Sequence, residues 1–268
     1  MITLRSKREI DKMAEAGRLV REAHKRVADL VRPGVSTAEI DAAVEDLFRE
    51  AGAIPLFKGV AGVVPFPAVT CISVNEELVH GIPGERVLRE GDIVSVDTGC
   101  KLNGWCGDSA WTYPVGKISD QAARLLQVTE RALQVAIELM PVKKRWSEVA
   151  REMQQVVESA GFSVVTSMVG HGIGKRMHEE PQVPNYDSAA FRNQGDFALR
   201  PGLVLAVEPM VTVGKPKLVE MPDHWTLATA DRSLSAHFEH TLALVADGVR
   251  VLTGDQPEVP IPPPTGEG

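Results

Sequence analysis

Two stretches of this 268-residue chain repeat each other, and the repeat limits the folds open to it more than any other feature. Leu88–Asp97 reads LREGDIVSVD, and Leu199–Glu208 reads LRPGLVLAVE. Each is a turn followed by an apolar, valine-bearing strand that closes on a carboxylate, and Asp97 and Glu208 stand 111 residues apart. A second pair lies upstream. Ser36, with Glu39 three residues on, forms a capping box that opens a helix; Ile40, Val44, Leu47 and Phe48 make its apolar face and Gly52 stops it. Ser147 opens a matching helix carrying Val149, Met153, Val156 and Val157, which stops at Gly161, 109 residues beyond Gly52. Longer helical patterns precede both, from about Arg8 to Val31 and from about Asp120 to Met140; Pro33-Gly34 and Pro141 break them. The order helix, helix, strands therefore occurs twice. With no Pro/Gly/Ser linker between them, the halves are expected to share one core, in a single α+β unit over residues 1–254. The Pro-rich residues 255–268 read as a disordered tail.

The chain carries 29 basic and 36 acidic side chains, a formal charge of −7, which argues against a non-specific nucleic-acid binder. Cys71, Cys100 and Cys106 are odd in number and include no C-x-x-C pair, so neither a disulfide framework nor a zinc knuckle is implied. The first residues have no apolar run of the signal-peptide kind. The longest uncharged run, Gly59 to Asn75, is too short and too broken by Gly and Pro to span a bilayer. The expected location is the cytoplasm.

Carboxylates at the ends of apolar strands need a reason, because an unpaired buried charge is costly. Asp108, in GDSAWTY, follows Asp97 across Gly99, Asn103 and Gly104; a hairpin there would set the two carboxylates side by side. They would repel unless a cation lay between them. Glu239 sits in AHFEHT, just before the strand-like Leu242–Val245, and His171 lies in the Gly-rich GHGIG. His178, in MHEEP, and His80, in VHGIP, occupy similar turn-rich settings. Four carboxylates and one imidazole can hold two divalent cations about 3.5–4 Å apart and activate a water for hydrolysis. Oxygen-rich ligation with one histidine suits Mn, Fe(II) or Co about as well as Zn.

Taken singly, each residue has another reading. Asp97 could be a turn residue, Asp108 a cap, His171 a buried structural histidine, Glu239 one half of a surface pair with His240, and His80 and His178 ordinary turn residues. His24, on the first helix, reads as solvated; His224, His237 and His240 read as supporting or surface residues. The set, spread over both halves of the repeat, is what is specific.

The strings SVDTG (95–99), GDSAWTY (107–113), GHGIG (170–174), HEEPQV (178–183), AVEPM (206–210) and DRSLSAHFEHT (231–241), with VTCISVNEELVHGIP (69–83), together resemble type I methionine aminopeptidase over residues 7–253. The resemblance implies the pita-bread fold, two pseudo-two-fold halves with helices outside and β-structure inside. It implies removal of the initiator methionine from nascent proteins and peptides with a small second residue. By position, Asp97 would chelate one metal, His171 and Glu208 the other, and Asp108 and Glu239 would bridge both. His80 and His178 would contact the scissile amide and stabilise the tetrahedral intermediate, and Glu208 would serve as general base. Phe66, Cys71, Met177 and Trp225 fall at methionine-pocket positions. Val63 and Met177 depart from the aromatic residues common there, although a flexible, polarisable Met can pack against a methionine side chain. The partners implied are nascent N-termini and transient contact with the ribosome, with no membrane, no nucleic-acid specificity and a monomeric state. X-Pro-cleaving relatives usually carry a further N-terminal domain, for which a repeat starting near Arg8 leaves no room. A non-catalytic binding module of the same fold would be expected to have lost ligands.

Overall fold

The computed structural model describes residues 2–254; the Pro-rich segment 255–268 lies outside the described residues. Helices α1 (Lys7–Leu30) and α2 (Thr37–Glu50) precede β1 (Ile54–Pro55), β2 (Thr70–Val74), β3 (Glu77–Val79), β4 (Ile93–Leu102) and β5 (Trp105–Pro114). Helices α3 (Asp120–Leu139) and α4 (Trp146–Ser159) then precede β6 (Ser163–Val164), β7 (Gly170–Gly172), β8 (Glu179–Val183), the short α5 (Ala189–Gln194) and β9 (Val204–Val207). The chain closes with β10 (Met210–Thr212), β11 (Leu218–Glu220), β12 (Leu227–Thr229), β13 (Ser235–His237), β14 (His240–Val245) and β15 (Gly248–Val251).

The repeat survives in three dimensions. Helices α2 and α4 have the same length, 14 residues, and each is followed by a glycine at positive φ, Gly52 at 65° and Gly161 at 82°. Isolated bridges Ser36↔Val87 and Arg145↔Ala198 tie each second helix to the chain just before its carboxylate strand. The start of α4 differs from the expected one. Ser147 lies inside the first turn; the cap is Arg145, whose backbone N–H donates to Glu148 at 2.9 Å, and Asp196 accepts from both the backbone N–H and the hydroxyl of Ser147. A carboxylate from elsewhere in the chain thus takes over what Ser36 does in α2, where its hydroxyl accepts from Glu39 N–H.

The strands form four antiparallel sheets, ordered β1-β4-β2 with β5 on β4, β13-β10-β6, β11-β12-β3 and β15-β14-β9-β7-β8. The helices lie outside, α1 against β4 and β5, α3 against β10, β13 and β15. One apolar cluster draws from both halves, joining Phe48, Trp111 and Tyr113 to Trp146, Phe197 and Phe238. His24 is buried in this region, contrary to the solvated position expected. It falls on the stripe Met13, Val20, Val27 that α1 turns inward, and its ring pairs with the Tyr113 hydroxyl at 2.8 Å and the Ser109 carbonyl at 2.9 Å. No helix among the described residues is long and apolar enough to cross a membrane.

Candidate active site

The first two carboxylates are set by one hairpin. β4 and β5 are joined by Asn103-Gly104, both at positive φ (51° and 84°), the backbone a two-residue type I′ turn demands. Asp97 therefore lies mid-strand, where the sequence suggested a strand end, and Gly99 is a strand residue rather than part of the turn. In the register Gly99 faces Asp108 and Cys71 faces Asp97, so Asp97 and Asp108 share a face on a diagonal. Gly99 is needed for room: a Cβ there would meet Asp108 Oδ1 at 2.6 Å.

The second half supplies the rest. Glu208 follows β9 directly, and Asn185 Nδ2 donates to its carbonyl at 2.9 Å. Glu239 sits between β13 and β14. Its N–H donates to the Ala110 carbonyl at 2.8 Å and its carbonyl accepts from the Ser109 hydroxyl at 2.7 Å, which pins it beside Asp108. The Thr241 hydroxyl accepts from Asp108 N–H and donates to Asp108 O, closing the seam between the halves. His171, on β7, has its Nδ1 3.0 Å from the Gly172 carbonyl, and its Nε2 lies 3.7 Å from Glu208 and 4.0 Å from Asp108.

The structure brings all five residues to one cavity of about 390 Å³. Donor atoms of Asp108, His171 and Glu239 lie within 4.8 Å of one another. Burial pushes all four carboxyls up: Asp97, Glu208 and Glu239 well above the carboxylate range, with Asp108's negative charge adding to each, and Asp108 to about 7. Burial holds His171 down to about 4. Asp97 Oδ1, Asp108 Oδ1 and Glu239 Oε1 are buried without a hydrogen-bond partner. Orphaned buried carboxylate oxygens facing one neutral imidazole are the donor set a divalent cation satisfies, so the residues fit a metal.

The same cavity includes the remaining expected residues, His80, His178, Phe66, Cys71, Met177 and Trp225. His80 has φ 60°, a conformation side chains rarely adopt, held because the flanking Gly81 accepts from Ile72 N–H and donates to the Ser73 hydroxyl. Burial lowers the His80 and His178 pKa values below 6.5. His178 packs edge-on to His171 with ring centroids 4.4 Å apart. Phe57, Phe66, Ala68 and Cys71 form an apolar cluster completed by Val60, Met177 and Trp225. Burial pushes the Cys71 thiol up and keeps it neutral.

Val63 does not belong to this wall. The loop closes on itself through Gly59 N–H to Phe66 O and Phe66 N–H to Val60 O, turning Phe66 inward and leaving Val63 76% exposed. Trp225 Nε1 donates to the Val64 carbonyl and so holds that loop over the cavity. Phe57, Val60, Met168 and Gln182 also line the cavity and carried no signal in the sequence. His237 is buried with both ring nitrogens unpaired, its Nε2 3.8 Å from Glu208. His240 is buried against Thr253, and His224 is on the surface.

The profile of metallopeptidase family M24 matches residues 11–246. Methionine aminopeptidase 1 of Bacillus subtilis (strain 168) is 47% identical over 253 residues, covering 94% of this chain and 99% of that protein. The crystal structure of a methionine aminopeptidase from Thermotoga maritima superposes with a TM-score of 0.89 at 40% identity, covering 95% of this chain and all of that one. A prolidase from Pyrococcus horikoshii OT3 reaches 0.73 at 22% identity over 96% of this chain and 65% of its own, a likeness of fold alone. Two αα-β halves closing on one acidic cavity are the pita-bread fold, and the chain belongs to metallopeptidase family M24, in its methionine aminopeptidase branch.

Proposed function

We propose that this chain removes N-terminal methionine from peptides and nascent proteins with a small second residue. One observation carries the reading: a single cavity has a buried cluster of four carboxylates and a histidine at one end and an apolar wall of Phe57, Phe66, Cys71, Met177 and Trp225 at the other. The wall suits an unbranched thioether side chain, and the acidic end suits cations.

Asp97, Asp108, His171, Glu208 and Glu239 would hold two divalent ions, Asp108 and Glu239 shared between them; Co, Mn, Fe or Zn all suit these donors. Such a pair, when bound, polarises a carbonyl and supplies hydroxide at neutral pH. Glu208 would take the proton of the attacking water and return it to the departing amine. His80 and His178, neutral at pH 7, would each place one hydrogen bond on the scissile amide. Trp225 and Phe66, edge to face with centroids 5.2 Å apart, would close the pocket over the methionine. In this reading residues 1–254 act as one catalytic unit, a cytoplasmic monomer that meets nascent N-termini in transient contact with the ribosome.

The chain loaded with Mn or Co should release methionine from Met-Ala-Ser at least about tenfold faster than it releases leucine from Leu-Ala-Ser, the discrimination an apolar pocket gives for a change of side-chain shape. No methionine release, or faster cleavage of Xaa-Pro peptides, would refute it.

A further inference from the structure

A buried ion pair outside the metal cluster reaches the same cavity from the start of the chain. Arg5 Nη2 bonds the Glu179 carboxylate, and their side chains are only 9% and 13% exposed. Arg5 lies ahead of the stretch shared with family M24, residues 11–246. Its backbone is fixed, with Arg5 N–H donating to the Gly202 carbonyl at 2.7 Å. Its guanidinium lies over the Trp105 ring, 5.4 Å from the centroid. Gly174 leaves space for it: a Cβ there would meet Arg5 Nη2 at 2.2 Å.

Glu179 is the other half of the device. Its Oε1 accepts from the backbone N–H groups of Lys175 and Arg176, at 2.9 and 3.2 Å, while its Oε2 takes Arg5. Residues 173–178 connect β7 to β8; Ile173 N–H donates to the Val204 carbonyl and the Gly174 carbonyl accepts from Cys106 N–H, so the connection is tied to the sheet at its start, and Glu179 organises the turn beyond. Met177 and His178 are in this connection and line the cavity. The carboxylate that organises the turn is therefore held in place by a cation from the chain's first residues.

We propose that Arg5 is a positioning residue: through Glu179 it fixes the turn that presents Met177 and His178 to the substrate. The substrate in question rests on the function proposed above. An Arg suits the role better than a Lys, because it fills the Gly174 space, stacks on Trp105 and donates in a plane. Small displacements of substrate-orienting groups cost up to about 100-fold in rate.

The test compares wild type with Arg5→Ala and Arg5→Lys in the metal-loaded protein. Arg5→Ala should lower kcat/KM on Met-Ala-Ser by at least about tenfold, a loss of the size expected for a misplaced orienting group. Metal content and the folded fraction at the assay temperature should stay as in wild type, and Arg5→Lys should recover part of the activity. Glu179→Gln should lose activity similarly, and the double variant no more than either single one. Amide exchange at Lys175 and Arg176 should rise in Arg5→Ala, a readout that does not depend on which peptide the enzyme cleaves. Unchanged exchange and unchanged kcat/KM in Arg5→Ala would overturn the proposal. So would losses that add in the double variant, or a loss matched by a falling folded fraction at the assay temperature or by falling metal content. Absence of methionine release by the wild type would instead refute the function, leaving the exchange result to judge the clamp.

Discussion

Asp108 is the residue on which most of the centre converges. It shares a face with Asp97, its Oδ2 lies 4.0 Å from His171 Nε2, its backbone is bonded at both ends to Thr241, and its charge raises the pKa of three other carboxyls. Asp108→Asn keeps the shape but removes the negative charge and replaces one of the two carboxylate oxygens by an NH2 donor, so metal bridging should fail. We expect more than about 100-fold loss of activity, beyond the 10–100-fold typical of changes to the partners of metal ligands; near-wild-type turnover would show that Asp108 is no bridge. The five cluster residues stand out in the sequence as a set and not singly: carboxylates at or beside apolar strands recurring in both halves of the repeat, with one histidine between glycines. Phe57, Val60, Met168 and Gln182 do not, because an apolar residue in a loop, or an amide on a short strand such as β8, acquires a role only when a distant segment closes over it.

At the scale of elements, the long helices were legible and the short strands were not. A capping box marks α2 and a helical pattern marks α1 within their own windows; the Ser6–Glu9 capping box that opens α1 came only with the structure. β1, β6 and β11–β13 are two or three residues long and exist only through pairing with distant partners, which no local pattern encodes. The start of α4 falls in the same class, since its cap carboxylate, Asp196, lies in the approach to β9. His24 shows how one residue type can mislead: histidine suggests solvent, yet the α1 stripe buries it. Burial holds its ring down to about 4, against 6.5 in the open chain. The unfolded chain therefore takes up the proton first, and stability is lost as pH falls from about 6.5 to about 4, then levels off. NMR titration should find His24 still neutral at about pH 5.5, since burial disfavours the charged ring; a titration centred near 6.5 would place the ring in water.

Over the whole molecule, duplication explains where the centre lies. Each half brings a carboxylate on an apolar strand, Asp97 on β4 and Glu208 after β9, and the seam between β5 and residues 237–241 brings Asp108 beside Glu239. Neither half holds the full donor set, so bound cations should fasten one half to the other and relieve the repulsion among four buried carboxylates. The most direct test is the melting curve of metal-free protein as Mn is added in measured amounts. The melting temperature should rise by several degrees, about 4 °C or more for each 2 kcal/mol of binding free energy. The rise should saturate at the two equivalents proposed above, and the Asp108→Asn variant should show little of it. A melting curve unchanged between verified metal-free and Mn-loaded protein would contradict a metal centre shared by the two halves.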